Sequence, residues 1–135
     1  MPLLSIVEVC IREAERRGLR RLALLGTRFT MEAPFYPAVA SRFGIAVVTP
    51  EADQRHWLHD RYVNQLLAGQ FLDETRDEMM SLIRRLRDEA RVDGVILSGT
   101  ELPLLLQAPD VNGLPLLDTT ALHVQAIVRQ LRDDA

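Results

Sequence analysis

The sequence predicts an α/β fold: one three-layer domain over residues 1–135, with a four-stranded, mainly parallel sheet. Short apolar runs that stop at glycine or a polar turn alternate with segments whose apolar residues recur at helical spacing. Those segments are long enough to serve as the crossover helices that parallel neighbours require. A length of 135 residues with 47% hydrophobic content gives material for one core and not two.

Each element has a local reason. Over residues 3–17, Leu3, Ile6, Val7, Cys10, Ile11 and Ala14 share a helical face, and Gly18 supplies the stop. Residues 21–25 are a buried strand ending at Gly26. Thr30 is expected to cap a helix over 31–43, with Glu32 in its first turn and Gly44 beyond its end. Pro34 suits a first turn, whereas Pro37 should kink the helix or delay its start. Residues 45–48 form the second strand, closed by Thr49-Pro50. Helices follow over 53–68, ended by Gly69, and 73–91, which sends Met79, Met80, Leu82, Ile83 and Leu86 toward the core. Residues 92–97 and 114–117 are the third and fourth strands, Pro115 marking an edge or a strand start. Asp118 or Thr119 then caps a helix to about Arg132, whose apolar face is Ala121, Leu122, Val124, Ile127, Val128 and Leu131.

Composition removes several function classes. A net charge of −3 predicts neither a nucleic-acid partner nor a basic membrane patch. No apolar run approaches the roughly 20 residues of a membrane span. The first residues carry no basic segment and Glu8 interrupts their apolar stretch, so no secretion signal is expected. One cysteine cannot form an internal disulfide, and the expected location is the cytoplasm. All 16 basic residues are arginine. An internal Schiff base to pyridoxal phosphate and the lysine of a phosphate-binding P-loop are thereby both excluded.

Ligands of such sheets bind beyond the carboxyl ends of the strands. At the first, Gly26-Thr27-Arg28-Phe29-Thr30 groups two hydroxyls, a guanidinium and backbone N–H groups. This is either a carboxylate cradle or a capped helix with Arg28 in solvent. At the third, Thr100 could donate to a carboxylate, and Glu101 could accept a proton if its pKa were raised. Ser98 or Thr100 as a plain helix cap explains the same residues. Cys10 reads as a core thiol, and Trp57 and Tyr62 as packing anchors. His56 and His59 lack further ligands for a metal. His123 is expected to face solvent or a neighbouring loop.

The stretch Asp93-Gly94-Val95-Ile96-Leu97-Ser98-Gly99-Thr100-Glu101-Leu102-Pro103-Leu104-Leu105 resembles the second cysteine segment of the aspartate/glutamate racemases, G-V-I-L-G-C-T-E-[LI]-P-L-L. Leu24-Leu25-Gly26-Thr27-Arg28-Phe29-Thr30-Met31-Glu32 is similar to the family's L-L-G-T-x-x-T-M-E, and Asp118-Thr119-Thr120-Ala121-Leu122-His123 to its D-T-T-x-x-H. Asp53-Gln54, Tyr62 and Gly69 also fit the pattern. The resemblance implies a two-domain, cofactor-independent racemase in which one cysteine from each half flanks the substrate α-carbon. This chain matches the second half only, with Gly99 where that cysteine belongs and Ser98 where the family has glycine. Some aspartate racemases also use a lysine, and none exists here. By position, Thr100 and Glu101 are the catalytic candidates, and Thr27, Arg28, Thr30, Ser98 and Thr119 the substrate-binding ones.

The resemblance therefore implies a small amino or carboxylic acid ligand with lost or altered chemistry. Its alternative is a divergent or split racemase completed by a second copy or a partner subunit. A missing half should also expose apolar surface, expected on the Leu102-Pro103-Leu104-Leu105-Leu106 run and the first helix.

Overall fold

The computed structural model describes residues 5–133. Its five strands are β1 (Arg21–Leu25), β2 (Ala46–Val48), β3 (Gly94–Leu97), β4 (Asp110–Val111) and β5 (Leu114–Asp118), in the order β2-β1-β3-β5-β4. All neighbours are parallel except β4, which runs antiparallel to β5. This is one strand more than expected. Asn112 and Gly113 both take positive φ, and Asp110 Oδ2 accepts from Gly113 N at 3.0 Å, closing a two-residue hairpin. Pro115 therefore lies inside the edge, because the short β4 covers β5.

Strand residues alternate between two cores. Leu22, Leu24, Ile96 and Leu117 pack with Cys10, Ile11 and Ala14 of α1 (Ile6–Arg16), Tyr36 and Ala40 of α3 (Phe35–Arg42), and Leu122 of α7 (Thr119–Asp133). Ala23, Leu25, Val95 and Leu97 face the other way. There they meet Leu58 and Tyr62 of α4 (Ala52–Asn64), Met79 and Ile83 of α5 (Asp73–Ala90), and Leu102 of α6 (Glu101–Leu106). Both faces of the sheet are covered, as a parallel sheet demands.

The helix expected over 31–43 is two helices. Ala33, which precedes Pro34, is extended at φ −80°, ψ 154°, and this separates α2 (Arg28–Glu32) from α3. Pro37 falls in the first turn of α3, where a missing N–H costs nothing. Thr30 lies within α2, and Thr27 holds the N-cap position. The 53–68 helix ends early, at Asn64, and a 3₁₀ turn (Leu66–Ala68) carries the chain to left-handed Gly69. Ser5 caps α1 and Asp118 caps α7 through its bond from Ala121 N. Leu3, expected on the first helix, lies outside the described residues.

The apolar surface is not where the sequence put it. Leu102, Leu105 and Leu106 are buried with only Leu104 exposed, and α1 buries Cys10, Ile11 and Ala14. Conversely, Val124, Ile127, Val128 and Leu131 on the expected inner face of α7 are exposed. Phe29 and Phe35 are also exposed, their rings 6.2 Å apart. No helix among the described residues is long and apolar enough to cross a membrane.

Candidate functional site

The chain leaves β1 toward α3 on one face and leaves the adjacent β3 toward α6 on the other. The crevice between their carboxyl ends is thus a topological switch point. Leu25 is registered beside Leu97, and Leu97 beside Asp118, so Gly26, Ser98 and Thr119 follow at one level. Ser98 N donates to the Leu25 carbonyl at 2.9 Å. A Cβ on Gly26 would lie 3.1 Å from Ser98 Cβ, which is why the two turns close best over glycine.

In the β3 turn, Gly99 sits at φ +99°, a conformation that side-chain-bearing residues rarely adopt. A Cβ placed there would collide with the Tyr62 hydroxyl and stand 3.2 Å from Tyr62 Cζ. Tyr62 reaches this position from α4 with its ring buried in the core. Its hydroxyl donates to Glu101 Oε1 at 2.6 Å, and Thr100 Oγ1 donates to Glu101 Oε2 at 2.6 Å. These two bonds, Thr100 first, hold the Glu101 carboxyl below its ordinary pKa. Burial, and then the adjoining carboxylate, push the Tyr62 phenol up. Glu101 is consequently a stabilised anion, the reverse of the raised pKa expected of a proton acceptor. Thr100 spends its proton on that anion and has none left for a ligand carboxylate.

The β1 turn is engaged in its own way. His59 Nδ1 accepts from Arg28 N at 3.0 Å, and the Arg28 guanidinium pairs with Glu32 at 3.1 Å. Arg55 approaches the same Glu32 oxygen at 3.7 Å. Thr27 makes no side-chain cap bond, and Thr30 is half-buried. A cleft of about 460 Å³ opens here, lined by Arg28, Phe29, Glu32, Ala33 and His59. Another, of about 410 Å³, lies between α4 and α5 near Trp57 and contains none of the turn residues.

Ser98 and Thr119 turn inward. Thr119 is buried and its hydroxyl donates to the Leu97 carbonyl at 3.0 Å. The Tyr36 hydroxyl meets both Thr119 and Ser98, and burial pushes its pKa up to about 12. Cys10 is buried beside them, its thiol likewise pushed up to about 12 by burial. No group of three or more His, Cys, Asp or Glu among the described residues could hold a metal ion.

The structure therefore brings Thr100 and Glu101 together, with Thr27, Arg28 and Thr30 on the neighbouring turn. Sequence reasoning missed the part played by Tyr62. Its place in the motif was visible, but its contact with Gly99 crosses from one core element to another and has no local signal.

The Asp/Glu/hydantoin racemase family model matches residues 1–127. An aspartate racemase homologue from Pyrococcus horikoshii superposes with a TM-score of 0.88 at 30% identity, covering 96% of this chain and 56% of that one. A Yersinia pestis protein assigned to the Asp/Glu racemases gives a TM-score of 0.84 at 34% identity, over 93% of this chain and 54% of that one. An aspartate racemase from Picrophilus torridus shares the fold, with a TM-score of 0.64 at 21% identity over 93% and 52% of the two chains. The chain spans about half the length of these structures. With its motifs in order, its half-domain fold and a match over nearly all its residues, the chain belongs to the Asp/Glu/hydantoin racemase family.

Proposed function

We propose that the chain binds a small amino or carboxylic acid in the switch-point crevice, with the family's two-thiol chemistry lost or altered. The observation that supports this most is the Tyr62 hydroxyl standing in the side-chain space of residue 99. Family racemisation needs a thiolate at that point to take or return the α-proton. Here the position holds a phenol with a raised pKa, bonded to an anion. A neutral phenol tied to a carboxylate is a poor base at neutral pH. The reading needs no cofactor, and a single buried cysteine supports a reducing cytoplasm.

Proton NMR in D2O with L- and D-aspartate and glutamate tests the proposal. Line broadening or shifts without loss of the α-proton signal are expected. Protein-dependent loss of that signal would overturn it.

A second reading, a split racemase completed by a second copy or a partner racemase-like subunit, is favoured by coverage of 52–56% of the related chains. Light scattering on the purified chain discriminates for self-assembly. A monomer at all concentrations would overturn completion of the site by a second copy.

A further inference from the structure

We infer that Glu101, held by Tyr62 and Thr100, is the recognition point for a ligand's ammonium group. The inference rests on the reading of the crevice as an acid-binding site and specifies which end of an amino acid it takes.

Each Glu101 oxygen accepts one hydroxyl proton, at 2.6 Å from Tyr62 and 2.6 Å from Thr100. A hydroxyl has a single proton, so both now offer only lone pairs to anything else. The three side chains together form an acceptor-only surface around a fixed negative charge. Such a surface fits an N–H donor with positive charge and repels a carboxylate.

Charge balance points the same way. None of the ion pairs among the described residues involves Glu101, and no guanidinium contributes to its lowered pKa. The guanidiniums of the β1 side have other neighbours: Arg28 pairs with Glu32 at 3.1 Å, and Arg55 donates to the Pro50 carbonyl at 2.7 Å with its Nε 3.7 Å from Glu32. Glu101 is half-buried, so water screens it less than a surface charge. A half-buried carboxylate with full hydroxyl support and no cation is completed by a cationic ligand.

Gly99 leaves the space beside the carboxylate free of its own side chain, and the phenol oxygen fills that space. A lone-pair donor fixed by a carboxylate thus stands where a side chain on residue 99 would have stood.

The test compares L-aspartate with succinate, which differs by the amine alone, by following backbone amide shifts of residues 98–101 in the full chain. Aspartate is expected to bind at least tenfold more tightly than succinate. Glu101→Gln, which keeps the shape but removes the charge and replaces one of the two accepting oxygens with an N–H donor, should bring the two ligands within about twofold, while its amide spectrum elsewhere stays native. Equal binding of the two by the unaltered protein would overturn ammonium recognition and leave the acid-binding reading intact. An aspartate preference that survives Glu101→Gln would remove Glu101 from the role. Binding of neither ligand, nor of glutamate and glutarate, would overturn both the inference and the reading beneath it.

Discussion

The Tyr62 hydroxyl occupies the space into which a side chain on Gly99 would project, and it is fixed there by its bond to Glu101. The two positions belong to different elements, so neither can change alone without disturbing the other. Restoring cysteine at position 99 is thus blocked twice, by the phenol and by the backbone at φ +99°.

Gly99→Cys should lower stability by about 2–4 kcal/mol, from overpacking and from strain at positive φ. Adding Tyr62→Phe removes the colliding oxygen and should recover part of that loss, giving a non-additive pair in urea unfolding. A Gly99→Cys protein as stable as its parent, with a freely reactive thiol, would show that the turn is not locked as described.

Both tyrosines of the chain have raised pKa values, Tyr36 to about 12 and Tyr62 higher. A phenol with a raised native pKa contributes stability that is complete below its unfolded value of about 10 and lost as pH rises through the folded value. Absorbance at 295 nm should therefore stay flat through pH 10 in the native protein and rise only with alkaline unfolding. An ordinary titration centred near 10 would place at least one ring in solvent.

Glu101 carries the opposite sign. Its lowered pKa gives stability that is present above the unfolded value of about 4.3 and lost as pH falls through the folded one. Urea midpoints measured from pH 7 down to pH 3 should fall less steeply for Glu101→Gln than for the parent. Parallel curves would mean that the two hydroxyl bonds do not persist in solution.

Thr119→Val tests the buried side of the turns. It leaves the Leu97 carbonyl without the hydroxyl that now donates to it at 3.0 Å, at a cost of about 1–2 kcal/mol. The same change should leave ligand shifts at Thr100 and Glu101 intact, since the hydroxyl points into the protein. Lost binding in a folded variant would instead place Thr119 in the ligand site.

Much of the architecture was readable from residue pattern. The run at β1 and the places along the chain of the four parallel strands follow from apolar stretches bounded by glycine and polar turns, whereas their order across the sheet came from the structure. Two features were mislocated for physical reasons. Pro34 forced its predecessor out of the helical region, splitting one expected helix. The amphipathic pattern of α7 names an apolar stripe, but pattern alone cannot say whether this chain covers it, and Val124 and Leu131 remain exposed. At the site, the polar turns were legible because each follows a strand. The state of Glu101 was not, since beside the bond from its neighbour Thr100 it depends on a second bond from Tyr62, 39 residues away in sequence.

Trp57 is the only tryptophan in the chain, packed against the core on the helix that carries Tyr62, with the Arg61 guanidinium 5.8 Å from its ring centroid. The protein thus comes with its own optical gauge on the element that fills the residue 99 position. Emission wavelength and quenching will register any tilt or withdrawal of that helix, with no label attached. Because the arginine moves with the same helix, their 5.8 Å contact is kept when α4 shifts as a unit, and a change in emission then reports on the core face that Trp57 packs against.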